Sequence, residues 1–99
     1  MGYHNDTQLK KFAQELYDLL VESLPAELKI HDPYSASVHI RDKKYILCIE
    51  QSVYLIDSFS LTLTREDSYR LFDLTIPQRL CTPQNIFSLV MDVIGADQQ

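Results

Sequence analysis

Between residues 37 and 64 every second position within each run is apolar, Asp57 excepted, and that period of two commits the middle of the chain to β-strands. Val38 and Ile40 form one run, Tyr45, Leu47 and Ile49 the next, and Val53, Leu55, Phe59, Leu61 and Leu63 the longest. Polar pairs separate them. Asp42-Lys43 reads as a two-residue hairpin turn without the favoured glycine, and Gln51-Ser52 as a second turn. The predicted strands cover 28–32, closed by Asp32-Pro33, then 37–41, 44–50 and 53–64. Asp57 interrupts the apolar face of the last and predicts a bend or bulge. Connections this short favour an antiparallel meander, because parallel pairs need crossovers.

Helical spacing brackets this region. Leu9, Phe12, Ala13, Leu16, Leu20 and Leu24 recur at steps of three and four, which predicts a helix over 6–24, capped by Asn5 or Asp6 and stopped by Pro25. Thr64-Arg65-Glu66-Asp67 is similar to a capping box, and Leu71, Phe72 and Leu74 follow at helical spacing, so a short helix is expected over 65–74. A fifth strand over 69–76 is the competing reading. Thr82 as N-cap, Pro83 at the first helical position and Gly95 as the stop define a C-terminal helix. The expected fold is α+β in one domain over 1–99: an N-terminal helix, a four-stranded antiparallel meander, a short helix and a C-terminal helix.

The turns imply registers. Ile40 should face Tyr45, Val38 should face Leu47, Ile49 should face Val53, and Leu47 should face Leu55. One sheet face then carries Ile30, Val38, Ile40, Tyr45, Leu47, Ile49, Val53 and Leu55, to be covered by the first helix. The other carries His39, Ile46, Cys48, Tyr54 and Ile56 and is too apolar in its middle for a solvent face. Either the last helix or a partner should cover it. The apolar residues of that helix span roughly 200° of its circumference, wider than a usual stripe. Ile46, Tyr54, Ile56, Phe87, Met91 and Ile94 are therefore the expected partner-binding residues, and a homodimer through the outer face, the last helix or both is expected.

Charge and glycine narrow the function. The formal net charge is -5, which argues against direct nucleic-acid binding; Arg41, Lys43 and Lys44 read as an ordinary hairpin tip. The two glycines, Gly2 and Gly95, exclude every glycine-rich phosphate loop. No apolar run is long enough to span a bilayer and the first residues are polar, so no membrane partner and a cytoplasmic address are expected. Cys48 and Cys81 are expected to be free thiols. No cofactor is expected.

His31 and His39 would share the outer face if their strands paired with the two opposite, which could begin a zinc site, but no third ligand is evident. Ser35, Ser37, Cys48 and Cys81 are candidate nucleophiles without a motif that positions a base. Glu15, Asp18 and Glu22 lie together opposite the apolar stripe of the first helix and should be solvated, with no pressure toward acid–base work. The size, acidity and mixed helix–sheet order resemble type III secretion chaperones, although the strands run together without that family's intervening helix. Small phage-encoded inhibitors of host defence are similar in size and acidity. Neither resemblance rests on a motif, so neither carries residues over. The expected function is a non-catalytic protein–protein interaction protein: an adaptor, an inhibitor of the phage anti-defence type, or a chaperone-like binder. The alternatives are a small metal-dependent protein or enzyme using His31 and His39, and an acidic nucleic-acid mimic.

Overall fold

A computed structural model of the chain describes residues 7–52 and 57–98. Helix α1 (Gln8–Val21) is followed by five strands, β1 (Ala26–Asp32), β2 (Ser35–Ile40), β3 (Tyr45–Gln51), β4 (Ser58–Arg65) and β5 (Arg70–Pro77). A turn of 3₁₀ helix (Gln78–Leu80) leads into helix α2 (Pro83–Asp97). The strands form one antiparallel sheet in chain order, so the fold is α+β as expected, with five strands rather than four.

Thr7, not Asn5 or Asp6, caps α1: its hydroxyl accepts from the Lys10 N–H and donates to the Pro33 carbonyl, tying the helix start to the β1–β2 turn. Asn5 and Asp6 lie outside the described residues. Glu15, Asp18 and Glu22 are exposed, as their position opposite the stripe requires. Thr82 and Pro83 begin α2, but the helix runs through Gly95 to Asp97. Gly95 is exposed and keeps helical backbone angles, because tertiary bonds at Asp97 hold the last turn in place.

The β2–β3 hairpin has the expected register, with Ile40 opposite Tyr45 and Val38 opposite Leu47. Its tip is strained. Arg41, Asp42 and Lys43 have φ of 57°, 58° and 72°, and Lys44 N–H donates to the Arg41 carbonyl at 3.1 Å. A primed turn needs positive φ at both central residues to match strand twist, and here Asp42 and Lys43 supply it without glycine.

The fourth strand is shorter than expected. It starts at Ser58, directly after Asp57, so Ile49 pairs with Leu61 and Leu47 with Leu63, not with Val53 and Leu55. Residues 53–56, with the register drawn for them, lie outside the described residues. The short helix over 65–74 is replaced by β5. Phe72, Leu74 and Ile76 alternate with Asp73 and Thr75, and they extend the inner rows of β4 opposite Leu63, Leu61 and Phe59. The Arg65–Tyr69 segment forms a hairpin turn instead of a cap, with Ser68 at φ 69° and the Asp67 carboxylate accepting from Tyr69 N–H at 3.2 Å.

The inner face of the sheet carries Val38, Ile40, Tyr45, Leu47, Ile49, Leu61 and Leu63, each fully buried. Helix α1 crosses β1 to β3 with Leu9, Phe12, Leu16 and Leu20, and α2 lies beside it with Ile86, Val90 and Ile94 in the same core. Phe12 meets Phe59 at 5.2 Å between ring centroids. The wide apolar arc of α2 is thus used against both α1 and the core, and Ile94, expected at a partner surface, is 3% exposed.

One polar anchor sits in this layer. The buried Tyr45 hydroxyl donates to Asp97 at 2.7 Å, and Arg65 Nη1 donates to the same carboxylate at 2.7 Å. Arg65 also holds Asp67 through two bonds, of 3.0 and 2.9 Å, and lies 4.9 Å from the centre of the Tyr69 ring. A carboxylate at a helix C-terminus opposes the helix dipole; here the two donors outweigh that cost. The Tyr45 hydroxyl, followed by Arg65, holds the Asp97 carboxyl below the usual carboxylate range. Burial, then the bond to Asp97, pushes the Tyr45 phenol above its ordinary value.

Lys43→Gly should stabilise the domain by about 0.5 to 1 kcal/mol, since relief of the left-handed backbone exceeds the entropy glycine adds to the unfolded chain. Thermal unfolding should show a rise of roughly 2 to 8 °C; an unchanged or lower midpoint would show that the tip is not strained. Tyr45→Phe should cost about 1 kcal/mol at neutral pH, the net value of one buried hydrogen bond. Asp97, with its pKa depressed on folding, contributes stability above its unfolded pKa that is lost as pH falls through the folded one. Tyr45, with its pKa raised, contributes stability below its unfolded pKa that is lost as pH rises toward the folded one. Urea unfolding across pH should therefore show a shallower acid limb in Tyr45→Phe and a smaller alkaline loss.

Candidate interaction surface

Alternation along each strand sends the remaining side chains to the opposite face, on which neither described helix lies. Two rows cross it. One reads Glu27, His39, Ile46, Thr64 and Arg70, and the next Lys29, Ser37, Cys48, Thr62 and Asp73. Ser60 and Thr75 follow beyond them, their hydroxyl oxygens 3.4 Å apart. The centre of the face is half-buried Ile46 and Cys48, flanked by hydroxyls and rimmed by exposed Glu27, Lys29, Glu50, Arg70 and Asp73.

The expected partner patch is divided by this geometry. Ile46 lies on the outer face; Phe87 and Met91 are half-buried on α2, packed against the core on the other side of the sheet; Ile94 is inside the core. Tyr54 and Ile56 lie outside the described residues. Among the described residues no single surface joins the outer face to α2, because the sheet stands between them. What the sequence reading missed is the hydroxyl set of β4, Ser60, Thr62 and Thr64, which the alternation with Leu61 and Leu63 could have placed beside Ile46 and Cys48.

His31 and His39 share the outer face but do not pair. Glu27 is opposite His39, while His31 sits at the irregularity between Ile30 and Asp32, with Nε2 2.9 Å from the Ser37 hydroxyl. That contact leaves Ser37 only 4% exposed despite its outward position. His39 borders a shallow hollow of about 420 Å³ with Pro25, Ala26, Glu27, Asp42 and Lys43. Its Nδ1 is buried with no hydrogen-bond partner among the described residues, and burial, then Lys29, lowers its pKa. Among the described residues no three His, Cys, Asp or Glu side chains are grouped to hold a metal ion.

Both cysteines are free. Burial, then the charge of Glu50, raises the pKa of half-buried Cys48. Burial alone pushes Cys81, 5% exposed, up to about 11. No helix among the described residues is long and apolar enough to cross a membrane. No family model matches the chain, and no curated protein or solved structure matches it either.

Only the thiolate attacks an alkylating agent, so the two thiols should react in order of access and pKa. In native protein at neutral pH, iodoacetamide should modify Cys48 more slowly than free cysteine and Cys81 more slowly still, with the difference abolished in denaturant. Peptide mass spectrometry over time reads both sites. Rapid modification of native Cys81 would contradict its place in the core.

Proposed function

We propose that this chain is a non-catalytic protein–protein interaction protein, an adaptor, inhibitor or chaperone-like binder, that engages a partner through the outer face of its sheet. The observation that carries this reading is the one-sided cover: α1 and α2 pack against the inner face, and the outer face presents Ile46 and Cys48 at the centre of a hydroxyl-rich surface. An apolar centre within a polar rim is the anatomy of a recognition surface. Ser60, Thr62 and Thr64 offer donors and acceptors that fix orientation without burying charge. The rim has more acids than bases and the chain carries -5, so the fitting partner is a protein with an apolar projection among basic residues. A cytoplasmic place suits two free thiols.

A photo-crosslinking amino acid at Thr62, on the outer face, should join the chain to its partner in extracts of the native host. Ile46→Asp should weaken that complex at least about thirtyfold, as loss of a central contact does, while circular dichroism stays unchanged. A complex that forms equally well with Ile46→Asp and gives no crosslink from Thr62 would place recognition elsewhere.

A further inference from the structure

The described sheet has two edges of different character. β1 starts after Pro25, carries Glu27 and Lys29, and loses register between Ile30 and Asp32 just before Pro33. Prolines, charges and a bulge are the devices that keep an edge from pairing. β5 is eight residues long; it too carries charges, Arg70 and Asp73, paired at 3.1 Å, and ends on Pro77, but its irregularity lies at its start, opposite Leu63 and Thr64, and leaves Phe72 to Pro77 in unbroken register. On its inner side Phe72, Leu74 and Ile76 are half-buried, and Tyr69 and Leu80 beyond its two ends are 59% and 58% exposed.

We propose that β5 pairs antiparallel with β5 of a second copy of this chain, about a two-fold axis at Leu74. The backbone sets the phase. Gln78 N–H donates to the Asp57 carbonyl across the β4–β5 ladder, so by alternation residues 72, 74 and 76 turn their amide groups toward β4, and Asp73 and Thr75 turn theirs to the open edge. A two-fold axis perpendicular to a sheet pairs residues of like parity. Centred on Leu74, Phe72 meets Ile76 of the partner copy, and Asp73 exchanges backbone bonds with Thr75 of the partner copy. Centred on Asp73, two carboxylates would oppose each other. Centred on Thr75, Asp73 would meet Pro77 of the partner copy, which has no N–H to give. One register therefore joins apolar to apolar on the inner side and carboxylate to hydroxyl on the outer side. Asp73 already makes the second kind of contact within its own sheet, accepting from the Thr62 hydroxyl at 3.3 Å.

The strand and its flanks offer about a dozen residues per copy, fewer than the 20 to 30 of a standard interface, so the expected dissociation constant is about 10 to 100 μM. Two copies at -5 each repel, and salt should tighten the dimer. The edge adjoins the outer face, whose rim includes Asp73 and Thr75, but Ile46 at the centre of that face lies two strands away on β3, so Ile46→Asp and Thr75→Asp separate the two assignments.

Sedimentation equilibrium of the full chain from about 5 to 500 μM, at low and high salt, measures the association. The wild type should dimerise, more tightly at high salt. Thr75→Asp, at an exposed position, sets a carboxylate against Asp73 of the partner copy twice and should weaken the dimer about tenfold or more. Thr75→Lys reverses the sign and should hold or tighten it. Ile46→Asp, on the outer face, should leave it unchanged. A wild type that stays monomeric throughout, a Thr75→Asp variant that associates like wild type, or a dimer lost with Ile46→Asp would each overturn the pairing.

Discussion

Every element of this fold is placed by the need to cover one apolar sheet face. Rows such as Leu28, Val38, Leu47, Leu63 and Phe72 run across all five strands, and they are removed from water only where a helix lies on them. One helix is too narrow, so α1 covers the β1 side and α2 packs beside it over the same core. The two are separated by the whole meander in sequence and meet only because the sheet beneath them is one surface. At β5 the cover gives way, and the inner residues become half-buried.

The same constraint explains the polar anchor. A helix laid over a sheet by apolar contact alone can shift along its axis at little cost, because that attraction is not directional. The Tyr45 and Arg65 bonds to Asp97 are directional, and they fix the far end of α2 to the start of β3 and the end of β4. The side chain of Asp97 is 11% exposed, so the pairing is more sheltered than the Arg65–Asp67 contact on the surface, where Asp67 is 56% exposed.

Much of this was legible in the sequence. The period of three and four marked α1, Thr82 and Pro83 marked the start of α2, and the period of two marked strands 2 and 3 with their register, because a two-residue turn leaves no freedom in pairing. The errors came where a local signal and a distant one disagreed. Thr64-Arg65-Glu66-Asp67 carries the chemistry of a helix start, but the inner row of β4 needs a neighbour, and Phe72, Leu74 and Ile76 supply it. The apolar residues before Asp57 continue the alternation of β4 in sequence, so Asp57 reads as a bend within one long strand, whereas β4 starts just after it, at Ser58. The outer face was recognised as unusual, but its composition depended on which strand lay beside β3. Once Thr62 and Thr64 replaced the expected neighbours of Cys48 and Ile46, an apolar strip became a mixed surface.

One-sided cover also divides the sequence into two sets of positions that answer to different demands. Along β3, Tyr45, Leu47 and Ile49 are locked by the core, whereas Ile46, Cys48 and Glu50 alternate with them on the other side. Along β4, Leu61 and Leu63 are locked, and Thr62 and Thr64 are not. Exchange at the second set removes few contacts from the core, and substitutions away from a core, a cap or a buried polar pair usually cost within about 0.5 kcal/mol. A chain built this way can change the chemistry of its open face residue by residue while the scaffold beneath it keeps its shape, so its surface and its fold are free to vary at different rates.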